Sequence, residues 1–125
     1  MMTWIFASDR NFQPYDYTAT KSQLLLRSGG ATRIDVLFRL VRVQKLCGWY
    51  AGLRIRHATE AERQRIEAET PKVIYDDENV FFVLEEGTGF DYVVAGGVGW
   101  HEGPDPGVEA GHFADPDNVG SALRR

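Results

Sequence analysis

The chain has 125 residues, a formal net charge of −4, 43% apolar residues and 26% charged residues. That is one domain's length with enough apolar residues for a packed core, which excludes a disordered chain. The longest uninterrupted apolar runs, such as Val80 to Leu84, are too short for a membrane-spanning helix, and the single cysteine, Cys47, excludes an intrachain disulfide or a cysteine-based metal cluster.

The opening residues carry no basic stretch and meet Asp9 almost at once, so no secretory signal is expected. A cytoplasmic setting without membrane association follows as the expectation. Charge is unevenly spread. Residues 1–59 hold nine Lys and Arg against three Asp and Glu, a balance of +6, whereas residues 60–125 hold five against fifteen, a balance of −10. Such asymmetry fits a basic surface for an anionic partner, or two halves that pack together and neutralise each other. A domain this small cannot hold its halves far apart, which favours the second reading.

In chain order, Trp4 to Ala7 reads as a short strand. Asp9 to Thr18 reads as a loop, with turn residues Asp9, Asn11, Pro14 and Asp16 and an unusual share of aromatics in Phe12, Tyr15 and Tyr17. Lys21 to Arg27 is a second strand, and Ser28-Gly29-Gly30 is a hairpin turn into a third. In that third strand, Thr32 to Leu40, Ile34, Val36, Phe38 and Leu40 alternate with Arg33, Asp35, Leu37 and Arg39, placing one face in the core and one in water. The alternation slips by one residue at Leu40-Val41, which predicts a bulge or sharp bend there. Leu46 to Tyr50 is an apolar connection, and Leu53, Ile55 and His57 alternate with Arg54 and Arg56 in a fourth strand.

Thr59 to Glu69 is the one convincing helix. Thr59 and Glu62 have capping-box spacing, and Arg63/Glu67 and Arg65/Glu69 stand four residues apart. Pro71 ends it, and its thin apolar face predicts a lightly packed surface helix. Lys72 to Tyr75, Val80 to Glu85 and Phe90 to Ala95 read as three further strands, with Gly96 to Trp100 as a distorted extension. From Gly103 the composition turns to Gly, Pro and Asp, which predicts an irregular tail. The expected organisation is one domain over residues 1–102 followed by a tail over residues 103–125. Consecutive strands interrupted by one helix predict an α+β fold. Its mainly antiparallel, strongly bent sheet has six to seven strands and can curl into a partial barrel. The expected main core is Ile34, Val36, Phe38, Leu53, Ile55, Phe82, Leu84, Tyr92 and Val94.

Chemistry-bearing motifs are sparse. Gly96-Gly97-Val98-Gly99 has neither the spacing nor the following helix of a phosphate loop, and a strand bend explains it better. His101 and His112 stand near Glu102, Glu109, Asp115 and Asp117, but no zinc or EF-hand spacing is present. No nucleophile elbow appears, and Cys47 sits in an apolar neighbourhood. No metal, no cofactor and no catalytic residue are therefore expected. The positive feature is a set of arginines. If the third and fourth strands pair, Arg33, Arg39, Arg54 and Arg56 share one sheet face, suited to phosphate, carboxylate or interface recognition. The competing reading is that helix carboxylates cover that face. The absence of interleaved aromatics and the acidic balance argue against nucleic acid.

The expected function is a small, non-catalytic interaction protein of the inhibitor, immunity or regulatory kind, binding another protein or a second copy of itself. Its expected binding residues are Arg33, Arg39, Arg54 and Arg56. The alternative is a small-ligand-binding domain or enzyme at the open end of a bent sheet, with His57, Trp100 and His101 at its mouth. A pocket of aromatics and convergent polar groups favours the alternative; a filled core favours the first.

Overall fold

A computed structural model describes residues 3–18, 22–85 and 89–104. The elements in chain order are β1 (Phe6–Thr18), β2 (Gln23–Ser28), β3 (Thr32–Arg39), β4 (Val43–Lys45), β5 (Tyr50–His57), α1 (Glu60–Glu69), β6 (Val80–Glu85), β7 (Asp91–Ala95) and β8 (Gly97–Pro104). The strands form one antiparallel, open sheet in the order β4-β7-β6-β5-β1-β2-β3-β8. The α+β expectation holds, with eight strands among the described residues instead of six or seven. The sheet bends strongly, because β7 and β8 lie towards its opposite ends yet are separated in sequence by Gly96 alone.

The largest correction is β1. The segment read as a loop is a thirteen-residue strand at the centre of the sheet. Among the described residues, its Phe6–Phe12 half pairs with β5 and its Gln13–Thr18 half with β2. The turn-forming residues fall at two breaks in register, between Ser8 and Asn11 and between Pro14 and Asp16. Bulges tolerate residues that a regular ladder rejects, so Asp9 and Pro14 mark kinks inside a strand and not its end.

The bend expected at Leu40-Val41 is present. Leu40 adopts a left-handed conformation with φ 55°, and the chain passes from pairing with β8 to pairing with β7. Three backbone hydrogen bonds hold the corner: Val41 N–H to Ser22 C=O (2.8 Å), Arg42 N–H to Val94 C=O (2.7 Å) and Gly96 N–H to Arg39 C=O (2.8 Å). A Cβ on Gly96 would stand 2.9 Å from Leu40 Cδ1 and 3.0 Å from Leu40 Cβ, so any side chain there would have to displace Leu40.

The concave face of the sheet encloses the main core, in which Phe12, Leu24, Phe38, Tyr50, Leu53, Ile55 and Phe82 are buried. Seven of the nine expected core residues lie there. Tyr92 and Val94 are buried in a second cluster instead, with Ile66 and Phe81 beneath α1. Strand β7 is buried on both faces, so alternation could not assign its inward side.

Helix α1 carries the expected capping box: Glu62 N–H donates to Thr59 Oγ1 (3.2 Å), and Thr59 N–H to Glu62 Oε1 (2.8 Å). Ile66 is its only buried residue, as a thin apolar face requires. Lys72 to Tyr75 is not a strand. Thr70 and Val73 close a turn after the helix, and Ile74 is 84% exposed. Strand β8 continues to Pro104, so Gly103 and Pro104 belong to the sheet, opposite Arg33 and Thr32. Residues 105–125, and with them His112, Glu109, Asp115 and Asp117, lie outside the described residues.

Candidate functional site

The structure does not assemble the expected arginine face. Strands β3 and β5 do not pair, because β1 and β2 stand between them. Arg33 lies on the convex side of β3, as its alternation requires, but that side is not in water. It is 1% exposed, with Nε 3.5 Å from Asp35 Oδ2. Arg39 is half-buried at the far end of the same strand. Arg54 is exposed on β5, with its guanidinium 5.8 Å from the centre of the Trp4 ring.

Arg56 is buried. Its guanidinium donates to Glu62 Oε1 (2.7 Å) and Oε2 (2.8 Å), and to Glu85 Oε1 (2.9 Å). This is the helix-covers-arginine reading, realised for one of the four residues. The bonds to Arg56, followed by the Thr59 backbone bond, hold the Glu62 carboxyl down at about 2, against burial, which pushes it up.

The other three expected residues are also dispersed. His57 is exposed and stacked on Phe82, ring centres 5.8 Å apart. It borders a cleft of about 240 Å³ at the start of α1, along with Thr59 and Arg63. Trp100 is half-buried and packs on Phe6 (5.4 Å) at the margin of the main core. His101 faces Asp35 across the β3–β8 ladder. Among the described residues, no three His, Cys, Asp or Glu side chains converge as metal ligands.

What the fold does bring together lies around β1 and the β2–β3 hairpin. Gln13, Arg27, Asp35 and His101 stand opposite one another on four successive strands. Arg27 Nε donates to Asp35 Oδ1 (2.7 Å) and Nη2 to Oδ2 (3.3 Å), while the Tyr15 ring lies 3.8 Å from the guanidinium carbon. Arg27 and Asp35 thus neutralise each other, and the aromatic lid adds a cation–π contact worth roughly 0.5–2 kcal/mol. A second brace crosses the strand ends. Arg10 donates to the Thr32 carbonyl (2.9 Å), to Thr32 Oγ1 (2.7 Å) and to Glu102 Oε2 (3.2 Å).

Between these braces the strands part. The β1–β2 ladder begins at Gln13 opposite Arg27, and on the hairpin side Asp9 to Phe12 has no ladder partner among the described residues. An open cleft of about 640 Å³ occupies the split, lined by Arg10, Asn11, Gln13, Arg27, Gly30 and Trp49 among others. Trp49 stands at it with 53% of its surface exposed. Its position is fixed from below. Cys47 N–H donates to Tyr50 Oη (3.0 Å) and Asp91 Oδ2 (3.2 Å), and Tyr50 O–H donates to Asp91 Oδ2 (2.9 Å). Burial, reinforced by Asp91, pushes the Tyr50 phenol far above its ordinary value, so it stays a neutral donor. The residues flanking Gly48-Trp49 are thereby anchored, and the indole stays exposed.

Such a surface offers an exposed aromatic, two guanidiniums and, among the described residues, an unpaired main-chain edge, which are the materials of recognition. Sequence reasoning did not single out Arg10, Arg27, Tyr15 or Trp49 as a site. One signal was available: a hairpin loop over residues 29–31 sets Arg27 opposite Asp35. The convergence of Arg10 and Trp49 depends on β1 being a strand. No protein-family model, curated protein or solved structure matches this chain.

Proposed function

We propose that this chain is a small, non-catalytic interaction protein that acts by binding another protein, in the manner of an inhibitor or regulatory partner. The observation that carries this reading is the exposed Trp49 beside an open, polar cleft on a sheet whose interior is filled. Solvent-exposed tryptophan and arginine are the residue types that most often anchor interfaces. Trp49, Tyr15 and Tyr17 keep large exposed surfaces; Tyr15 covers the Arg27 guanidinium, and Trp49 and Arg27 line the same cleft. The small-ligand alternative has less support. The concave face is packed by Phe12, Phe38, Tyr50, Leu53 and Phe82, none more than 1% exposed.

The proposal includes a cytoplasmic setting, in keeping with one free, half-buried cysteine. Among the described residues no helix is long and apolar enough to cross a membrane. The test is affinity capture from native lysate on the immobilised full chain and on Trp49→Ala, followed by binding measurements with the purified captured protein. The reading expects a partner whose affinity falls at least tenfold with Trp49→Ala, the loss typical of an aromatic anchor. Equal binding by both proteins contradicts it.

A further inference from the structure

We infer that the cleft between β1 and the β2–β3 hairpin takes an extended, acidic peptide segment of the partner, added as a strand along β1. This rests on the protein-binding reading and specifies its mode. Three observations carry it.

The first is the free edge. Phe6–Phe12 pairs with β5 on one side, and the β2 ladder does not reach it on the other. In a strand, the N–H and C=O groups of alternate residues point to each side, so this stretch presents main-chain donors and acceptors towards the cleft. The Arg10 N–H is taken up by Ser8 Oγ (3.2 Å). The remaining edge from Asp9 to Phe12 lines the cleft and has no ladder partner on this side among the described residues.

The second is the opposite wall. It is the hairpin tip, Ser28 to Ala31, where two glycines leave the backbone bare. Gly30 has φ 145°, a conformation that side-chain-bearing residues rarely adopt, so this position of the wall favours glycine. Two main-chain walls suit an extended peptide, whose affinity comes from main-chain hydrogen bonds and whose specificity comes from alternate side chains. Trp49 supplies the apolar contact for one such side chain.

The third is charge. The cleft lining holds two guanidiniums, Arg10 and Arg27, against one carboxylate, Asp9. Arg27 is committed to the buried Asp35, but the Arg10–Glu102 pair is surface-exposed, with Glu102 retaining 53% of its side-chain surface. An exposed pair of this kind is weak and can exchange Glu102 for a peptide carboxylate.

The probe is a phage-displayed library of random dodecapeptides, selected on the full-length protein. Selected peptides are then titrated into the ¹⁵N-labelled protein, with amide exchange followed by NMR. The inference expects an Asp- and Glu-enriched pool, shifts at Asp9 to Gln13 and Gly29 to Ala31, and slowed exchange of the edge amides in β1. It also expects Trp49→Ala to weaken binding at least tenfold; Trp49 is exposed, so that variant keeps its fold. Failure to select any peptide, a pool without acidic bias, or shifts confined to another face with unchanged β1 exchange would overturn it. In any of those cases a captured folded protein that still depends on Trp49 leaves the protein-binding reading standing, so the two fail separately.

Discussion

Arg56 and Glu62 face each other through hydrogen bonds of 2.7 and 2.8 Å, and this pair joins the end of β5 to the first turn of α1. Glu62 is also the residue that closes the capping box on Thr59. One carboxylate thus serves a buried cation and a helix end together, which explains how a helix with a single buried side chain stays docked.

The pair has a pH signature. The Glu62 carboxyl lies at about 2 in the folded chain against 4.5 ordinarily, chiefly because of Arg56. A lowered folded value means that the stabilisation is fully present above about pH 5 and is lost as pH falls through 4.5 towards 2. Denaturant titrations from pH 7 to pH 2.5 should show a loss of roughly 1–3 kcal/mol from this group. Glu62→Gln should be less stable at pH 7 and flatter across the range. An unchanged slope in that variant contradicts the assignment.

Arg33 and Arg54 separate the buried from the exposed arginines. Arg33→Glu places a carboxylate next to Asp35 in a region sealed from water, and should cost about 3–5 kcal/mol, as losing a partner from a buried pair does. Arg54→Glu alters an exposed strand position and should stay within about 1 kcal/mol. Thermal melts of the two variants give the comparison; equal melting temperatures contradict the placement of Arg33.

The corner at Leu40 predicts a coupling. Gly96→Ala drives a Cβ towards Leu40 Cδ1 and Cβ, at 2.9 and 3.0 Å, and should cost about 1–3 kcal/mol. Leu40→Gly removes that side chain and suits the φ of 55°, so on its own it should change stability by no more than about 1 kcal/mol. In the double variant most of the Gly96→Ala cost should vanish. A double-mutant cycle that returns additive losses shows that the two residues do not press on each other.

Phe38 lies at the centre of the concave core, in edge contact with Phe82 at 5.6 Å, and is fully buried. Phe38→Ala should cost about 3–5 kcal/mol in a denaturant titration. A loss below about half a kcal/mol, the range of ordinary surface changes, shows that β3 turns its other face inward.

The legible parts of the sequence were those where one periodic signal acts alone. Ile34, Val36 and Phe38 identified the concave face, Thr59 and Glu62 identified the helix start, and the slip at Leu40-Val41 identified the corner. Where two demands met, the pattern misled. Asp9 and Pro14 serve bulges inside β1 but look like turn residues of a loop, and with β1 lost the neighbours of β5 were lost too. That single misreading placed Arg33 and Arg39 beside Arg54 and Arg56. Arg33 and Asp35 look solvent-facing because charge usually marks the wet side of a strand; here Asp35 balances Arg27 across the hairpin, and the charges are buried together. Tyr92 and Val94 could not be assigned a face because β7 has no wet one. The candidate site was illegible for the same reason as β1, since its cleft is the gap between the β1 edge and the hairpin tip.

The most direct measurement is the binding isotherm of the captured partner protein with the wild-type chain and with Trp49→Ala, run beside denaturant melts of both. The side chain is more than half exposed and packs into neither core cluster, so its removal should leave the melting midpoint within the range of ordinary surface changes. The account predicts matching melts and a dissociation constant raised at least tenfold in the variant. Matching melts with matching isotherms would contradict it, by removing the cleft from the interaction.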